Sequence, residues 1–262
     1  MRIVRFTPGP DAGLGQDPLF GILEDDATIS IISGDPIYSG IQKTAAKIEL
    51  NKVRLLAPII PRSKVVCVGK NYADHAAEMG GVVPDEPIIF LKPNTSVIGP
   101  NDTIVWPDMS ERIDHEAELA IVIGRICKDV PLERVNDVIF GYTMANDVTC
   151  REIQKKDGQW MRAKSFDTFC PIGPWIETEF VPGNQRITTT LNGEIKQDAK
   201  LSDMIFKVAD IVHFVTQVMT LLPGDVIITG TPAGIGPMPE KSTVAISIEG
   251  LGQLTNKVSA RA

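Results

Sequence analysis

Clusters of apolar residues at strand spacing dominate the first part of the chain and predict a small β-rich segment. Three stretches fit this pattern: residues 2–6, 19–23 and 28–32. The acidic stretch 24–26 separates the second from the third and predicts a hairpin turn. Pro58 and Pro61 then mark a junction. We therefore predict a small β-rich N-terminal domain over residues 1–57 and a larger domain over residues 58–262.

Beyond the junction, apolar runs typical of strands alternate irregularly with helical patterns. The predicted strands are 64–68, 88–91, 119–123, 138–144, 187–191, 226–228 and 244–248. Helical spacing predicts helices over 73–79, from about residue 150, and over 202–222, while Asn192-Gly193 favours a two-residue hairpin turn. Because strands outnumber helices without regular alternation, the pattern favours the α+β class over a doubly wound parallel sheet.

Composition mainly excludes classes of partner. Lys and Arg total 26 against 33 Asp and Glu, so the net charge of −7 argues against nucleic acid. The 4 cysteines form no CxxC pair and fit neither a disulfide scaffold nor a zinc motif. Since no signal-peptide core or apolar run of membrane-span length is present, we expect a cytoplasmic protein without a membrane partner.

Two carboxylates stand two residues apart where an apolar strand begins. In a strand, Glu116 and Glu118 share one face, whereas Leu119, Ile121 and Ile123 share the other. Burying two unpaired carboxylates costs several kcal/mol, and a divalent cation removes that cost. The alternative is a solvated strand edge with both charges pointing outward.

A third acid, Asp147, stands where the apolar segment 139–147 ends. Carboxylate oxygens suit a hard cation such as Mg²⁺, with Mn²⁺ or Ca²⁺ possible, and a set without His or Cys disfavours zinc. The sequence therefore predicts a magnesium site on Glu116, Glu118 and Asp147. The alternative for Asp147 is a simple turn residue.

A helix that opens near Thr149 adds a candidate anion site. Thr149 and Glu152 have the spacing of a capping box. Arg151 and Gln154 lie three residues apart and share a face near the helix N-terminus, where free backbone N–H groups favour an anion. We interpret Arg151 as a ligand of a substrate carboxylate; the alternative is a surface charge.

His75 and Glu78 lie three residues apart on one face of the predicted helix 73–79. A carboxylate beside an imidazole fixes its tautomer and raises its basicity, as a general base acting on water requires. A surface salt bridge is the alternative interpretation. Gly69 and the pair Gly80-Gly81 flank this segment and would let it move as a lid.

A glycine-rich loop, residues 229–236, follows a predicted strand. Its glycines fit neither G-x-G-x-x-G nor a P-loop, which excludes both kinds of nucleotide site. The loop presents backbone N–H groups and the Thr231 hydroxyl. Lys164 lies in the stretch 162–168, and its role is ambiguous from the residues alone.

Together these segments resemble the fumarylacetoacetate hydrolase family over about residues 60–262. The matching motifs, in family order, are Gly69-Lys70-Asn71-Tyr72 through His75 and Glu78, Phe90-Leu91-Lys92-Pro93, Glu116-x-Glu118-Leu119, Asn146-Asp147-Val148-Thr149-x-Arg151-x-x-Gln154, Lys164-Ser165-Phe166-Asp167-Thr168 and Thr229-Gly230-Thr231-Pro232-x-Gly234. Each motif is modest, but the ordered set is specific.

The resemblance implies a mixed β-barrel catalytic domain, usually dimeric, with a divalent metal on the three acids. It also implies a His75–Glu78 dyad on a lid and contacts to a 2-oxo acid. The implied contacts are Arg151, Gln154, Lys164 and Thr231. The short N-terminal region is similar to that of small members that act on acylpyruvates or decarboxylate oxaloacetate.

We therefore expect a homodimeric Mg²⁺-dependent enzyme that cleaves a C–C bond of a small 2-oxo acid through a metal-stabilised enolate. His75 and Glu78 would activate water, and Lys164 would help to neutralise developing negative charge. One alternative is an isomerase of a 2-hydroxy-diene-dioate such as 2-hydroxyhepta-2,4-diene-1,7-dioate. Another is a non-catalytic, metal-dependent carboxylate-binding protein. The sequence assigns no role to Asp114.

Overall fold

Strands make up most of the regular structure in the computed structural model, which describes residues 1–260. The strands are β1 (Arg2–Pro8), β2 (Leu19–Leu23), β3 (Thr28–Ile32), β4 (Lys43–Glu49), β5 (Val53–Leu55), β6 (Val65–Gly69), β7 (Ile88–Lys92), β8 (Val97–Ile98), β9 (Thr103–Ile104), β10 (Ile113–His115), β11 (Ala117–Ile123), β12 (Ile139–Asn146), β13 (Thr149–Cys150), β14 (Cys170–Glu177), β15 (Arg186–Leu191), β16 (Glu194–Lys200), β17 (Val226–Ile228), β18 (Gly236–Pro237), β19 (Thr243–Ile248) and β20 (Gly252–Val258). The helices are α1 (Pro36–Ser39), α2 (Ala73–Glu78), α3 (Arg151–Asp157), α4 (Met161–Lys164) and α5 (Val208–Val218).

The strands form one large sheet and two smaller ones. The main path of the large sheet runs β4-β3-β2-β1-β14-β12-β11-β17-β6-β7, with β5 added to β1 and β8 to β14. The smaller sheets have the orders β13-β10-β18 and β16-β15-β19-β20-β9. The β-rich mixture of strands and helices is confirmed. The predicted β-barrel is not, because within the described residues the path ends at β4 and β7 and does not close.

The N-terminal strands continue the large sheet. Strand β1 pairs antiparallel with β14, placing Arg2 opposite Glu177 and Ile3 opposite Ile176. The first strands therefore share hydrogen bonds with the region that follows the predicted junction. A domain boundary at residue 57 stays a prediction.

Strand β11 is buried along its whole length and lies between two parts of the hydrophobic core. Leu119, Ile121 and Ile123 pack into the cluster that also contains buried residues of α5. Ala120 and Val122 face the opposite cluster. Since Glu118 precedes Ala120 by two residues, its side chain shares the face of Ala120 and Val122. This alternation fixes the direction in which the acidic end of β11 points.

The predicted helix over 202–222 is wrong in its length, because α5 covers only Val208–Val218. Before α5, the backbone amides of residues 205–206 bond to the carbonyl and side chain of Asn71 rather than to a preceding turn. After α5, Leu221 pairs with a neighbouring loop. Tertiary partners therefore take backbone groups that a longer helix would need.

The predicted capping box at Thr149 and Glu152 is also wrong. Thr149 Oγ1 donates to the Asp147 carbonyl at 2.8 Å, and the Glu152 carboxylate accepts from Ser110 Oγ at 2.7 Å. Helix α3 still begins where predicted, but no side chain caps it. By contrast, the predicted Asn192-Gly193 turn joins β15 to β16, with φ values of 51° and 85° that suit such a turn.

Candidate active site

Three buried carboxylates meet beside the end of the β11–β12 pair. Glu116 stands just before β11, Glu118 lies in β11 and Asp147 directly follows β12. The antiparallel register brings the Asp147 amide to 2.9 Å from the Glu116 carbonyl. One carboxylate oxygen from each acid lies within 4.8 Å of the others. The structure thus brings the three predicted metal ligands together as an all-oxygen set.

Two buried lysines flank this acidic set. Lys164 Nζ donates to Glu116 Oε2 at 2.8 Å and to Asp147 Oδ2 at 2.6 Å. Lys92 Nζ donates to the other oxygen, Asp147 Oδ1, at 2.6 Å and is 0% exposed. Sequence reasoning assigned no role to Lys92. The signal that could have found it is a lysine directly after the apolar run 88–91.

The buried positive groups do not neutralise the three carboxylates equally. Burial raises the pKa of Glu116, but the charges of Lys164 and Arg151 outweigh it and lower that pKa below its usual range. Burial and the nearby charges of Asp147 and Glu116 raise the pKa of Glu118 well above its usual value. Glu118 therefore lacks a sufficient counter-charge from the protein. A hard divalent cation fits this donor set.

Arg151 lies at the same cluster but is held by acids. Its Nη2 donates to Glu116 Oε1 at 2.6 Å and its Nη1 to Gln154 Oε1 at 2.7 Å. Its Nε donates to Asp114 Oδ2 at 3.0 Å, and Asp114 also accepts from Arg112. The structure thus places Asp114, whose role the sequence left open, directly behind Arg151.

The His75–Glu78 pair forms on α2. His75 Nδ1 lies 3.2 Å from Glu78 Oε2, and His75 is buried. Glu78 Oε1 accepts from the backbone amide of Gly234 at 3.1 Å. The contact to Glu78 leaves the other ring nitrogen of His75 for proton transfer. The dyad is thereby tied to the loop 229–236.

The same loop also contacts the acidic set. The Gly230 amide donates to Glu118 Oε2 at 2.6 Å. Gly230 has a φ of +94°, and a Cβ there would lie 2.7 Å from that of Asn71, so this position requires glycine. The next residue, Thr231, is buried and accepts at Oγ1 from Gln197 Nε2 at 2.7 Å. Gln197 is a second residue that sequence reasoning missed.

These groups face one small cavity. The predicted site residues that line it are His75, Glu116, Glu118, Asp147, Arg151, Gln154, Lys164 and Thr231. Glu78 lies behind His75. Phe90 and Trp160 add an apolar wall, with ring centroids 5.4 Å apart. A small pocket lined by charged, mostly buried side chains results, and the roles of its residues stay predictions.

No helix within residues 1–260 is long and apolar enough to cross a membrane.

Two family models match the chain: Fumarylacetoacetate (FAA) hydrolase C-terminal over residues 64–259, and Rv2993c-like, N-terminal over residues 1–58. Protein Rv2993c of Mycobacterium tuberculosis is 58% identical over 228 residues, covering 86% of this chain and 84% of that protein. Mitochondrial oxaloacetate tautomerase Fahd2a of Rattus norvegicus is 42% identical, covering 79% and 70% of the two chains. The crystal structure of 2-hydroxyhepta-2,4-diene-1,7-dioate isomerase from Mycobacterium marinum is 47% identical, with a TM-score of 0.89 over 99% of this chain and 98% of that chain.

Proposed function

The chain belongs to the fumarylacetoacetate hydrolase family, and we propose that it is a divalent-metal-dependent enzyme that forms the enol or enolate of a small 2-oxo acid. The observation that carries this proposal is the meeting of three buried carboxylates and the His75–Glu78 dyad at one cavity. Carboxylates suit a hard cation, and an imidazole held by a carboxylate suits proton transfer.

Glu116, Glu118 and Asp147 would hold the cation, with Mg²⁺ as first choice and Mn²⁺ or Ca²⁺ as alternatives. A cation held there supplies a Lewis acid for the keto and carboxylate oxygens of the substrate. Lys164 and Arg151 add fixed positive charge beside Glu116, which favours an anionic substrate. Gln154 and the Thr231 hydroxyl would contact its oxygen atoms.

His75 would move the proton. Glu78 engages Nδ1, so the other ring nitrogen can accept a proton from the carbon beside the keto group. Returning that proton to a different atom relocates a double bond, which is a tautomerisation or isomerisation. The names of the rat relative and of the M. marinum structure support this class of reaction.

Cleavage of a C–C bond in a 2-oxo acid is the second candidate, and the dyad is the observation that favours it. His75 assisted by Glu78 could deprotonate water for attack on the distal carbonyl of an acylpyruvate. The products would be pyruvate and a carboxylic acid. Decarboxylation of oxaloacetate needs no attacking water and would depend less on His75. We propose a homodimer in the cytoplasm, without a nucleic-acid or membrane partner, for either activity.

A substrate panel tests the proposal. Enol–keto conversion of oxaloacetate, isomerisation of 2-hydroxyhepta-2,4-diene-1,7-dioate and pyruvate release from acylpyruvates would be followed with Mg²⁺ and with EDTA. We expect turnover of at least one compound that EDTA abolishes, and that Glu116→Gln lacks at saturating Mg²⁺. Turnover unchanged by EDTA would contradict the metal requirement. Binding without turnover across the panel would favour a carboxylate-binding protein instead.

A further inference from the structure

Gln197 is the one residue of strand β16 that is buried, although β16 lies at the edge of its sheet. The amide of Gln197 is 1% exposed. Three polar groups lie at hydrogen-bond distance of its Oε1 and two of its Nε2, so both ends of the amide are fully engaged. A buried polar side chain needs hydrogen-bond partners. The partners of Gln197 fix the orientation of its amide.

Two backbone groups fix the orientation of this amide. The Ala117 N–H can only donate, and it lies 3.1 Å from Oε1. The Pro232 carbonyl can only accept, and it lies 2.9 Å from Nε2. Oxygen and nitrogen of the Gln197 amide are therefore assigned by polarity as well as by position. Thr189 Oγ1 adds a further donor to Oε1 at 2.7 Å.

This orientation of the Gln197 amide determines where the hydroxyl hydrogen of Thr231 can point. Since Gln197 Nε2 donates to Thr231 Oγ1 at 2.7 Å, the hydroxyl hydrogen of Thr231 must point elsewhere. Within residues 1–260, Thr231 Oγ1 donates to no protein acceptor at hydrogen-bond distance. Thr231 is 2% exposed and lines the cavity. Its hydroxyl hydrogen is therefore available to an acceptor atom of a ligand in the cavity.

We propose that Gln197 is a positioning residue that directs the Thr231 hydroxyl hydrogen away from Gln197 and toward the cavity, so that this wall favours an anionic acceptor such as a carboxylate oxygen. The proposal rests on the proposed function and deepens it, because it selects substrates that place an anionic oxygen beside Thr231. Gln197 acts through Thr231 and does not itself line the cavity.

A double-mutant cycle tests this inference. Gln197→Glu keeps the oxygen that accepts from Ala117 but replaces the donating nitrogen by an acceptor, so the Thr231 hydroxyl turns away from the cavity. Binding of oxalate, a non-reacting dicarboxylate, would be measured by calorimetry with Mg²⁺ present. A hydrogen bond to a charged group contributes enough that we expect oxalate affinity to fall by about ten- to a hundredfold. Thr231→Val should lower the oxalate affinity by the same factor, whereas Thr231→Ser should keep an affinity near that of the wild type.

In the Thr231→Val background, Gln197→Glu should weaken oxalate binding no further than about twofold. Equal losses in both backgrounds would mean that Gln197 acts by placing the loop, and would overturn the inference. So would retained affinity in Thr231→Val, a measurement that leaves Gln197 intact. Gln253→Glu, an exposed change on β20, is the matched control. A wild type that neither binds oxalate nor turns over any 2-oxo acid would instead refute the proposed function itself.

Discussion

The Asp114 carboxylate accepts a hydrogen bond of 3.0 Å from the Arg151 guanidinium, and both side chains are buried. Asp114 also accepts from Arg112, so one acid is shared by two arginines. Arg151 in turn reaches Glu116 at 2.6 Å. Asp114 therefore orients the guanidinium that neutralises part of the acidic set, without itself lining the cavity.

Asp114→Asn should lower both stability and turnover. Removing a buried charge from its arginine partner costs about 3 kcal/mol in the free energy of unfolding, and a misplaced Arg151 should reduce kcat/KM by about tenfold. Urea unfolding and steady-state kinetics measure the two effects. The control Asp157→Asn removes the acid of an exposed ion pair with Arg162 and should change neither stability nor kcat/KM. Wild-type stability in Asp114→Asn would show that Arg151 is held by its other contacts.

Lys92→Met should destabilise the protein by about 3–5 kcal/mol, because it removes one of the two ammonium groups that contact Asp147 inside the core. Methionine nearly preserves the volume, so the loss reports charge rather than a cavity. Denaturant unfolding of the metal-free protein provides the measurement. The matched change Lys128→Met breaks an exposed pair and should cost little. A loss no larger than that of Lys128→Met would contradict this view of Lys92.

Glu118→Gln should have opposite effects with and without metal. In EDTA the variant should melt at or above the wild-type temperature, because a buried acid repelled by Asp147 and Glu116 is removed. Adding Mg²⁺ should raise the wild-type melting temperature and should have little effect on the variant. Thermal scans in both conditions test this, with the exposed change Glu194→Gln as control. An equal Mg²⁺-induced shift in the variant would remove Glu118 from the ligand set.

Asp225 should make stability depend on pH. Burial raises its pKa, but the hydrogen bond from Lys64 Nζ at 2.7 Å and the Leu222 amide outweigh burial, so the pKa is lowered. A lowered pKa means that the stabilisation is present above the ordinary value of about 3.9 and is lost as pH falls through the folded-state value.

Asp225→Asn should therefore reduce the free energy of unfolding by about 2 kcal/mol at pH 7. The difference from wild type should shrink below about pH 4. Urea unfolding across this range is the measurement, and Asp198→Asn, an exposed acid, is the control. A difference that grows in acid would invert the assigned sign.

His75→Ala should slow pyruvate release from acylpyruvates more than it slows decarboxylation of oxaloacetate. Only the first reaction needs a deprotonated water, and general-base catalysis contributes about 10²–10⁴ in rate. Product assays on the same enzyme preparations give the ratio. Glu78→Gln should cause a smaller loss with the same bias, since it leaves the imidazole in place. Equal losses for both substrates would argue against a water-activating base.

The local pattern predicted the directions of side chains near the site better than their long-range partners. Alternation in β11 correctly placed Glu116 and Glu118 away from Leu119, because strand periodicity is a property of the backbone. The pairing of β11 with β12, which brings Asp147 to Glu116, depends on residues about thirty positions apart. The place of Asp147 at the end of an apolar segment suggested that meeting, and the ordered family motifs supported it.

The sequence did not predict the roles of residues that act through tertiary hydrogen bonds. Gln197 sits in an exposed, polar edge strand, where nothing local distinguishes it from its neighbours. Asn71 takes the backbone amides that a helix over 202–222 would have used. Strand β14 was missed although it is central to the large sheet, because two prolines interrupt its apolar pattern. In each case the deciding partner is distant in sequence.

The loop 229–236 donates hydrogen bonds to two acids. The Gly230 amide donates to Glu118, and the Gly234 amide donates to Glu78. One acid belongs to the candidate metal ligands and the other to the dyad. An outward swing of this loop would free both in a single event. The His75–Glu78 dyad and the candidate metal ligand Glu118 would then lose their positions together. An enol formed in the cavity would therefore meet a positioned base only while the loop is closed and bulk water is excluded.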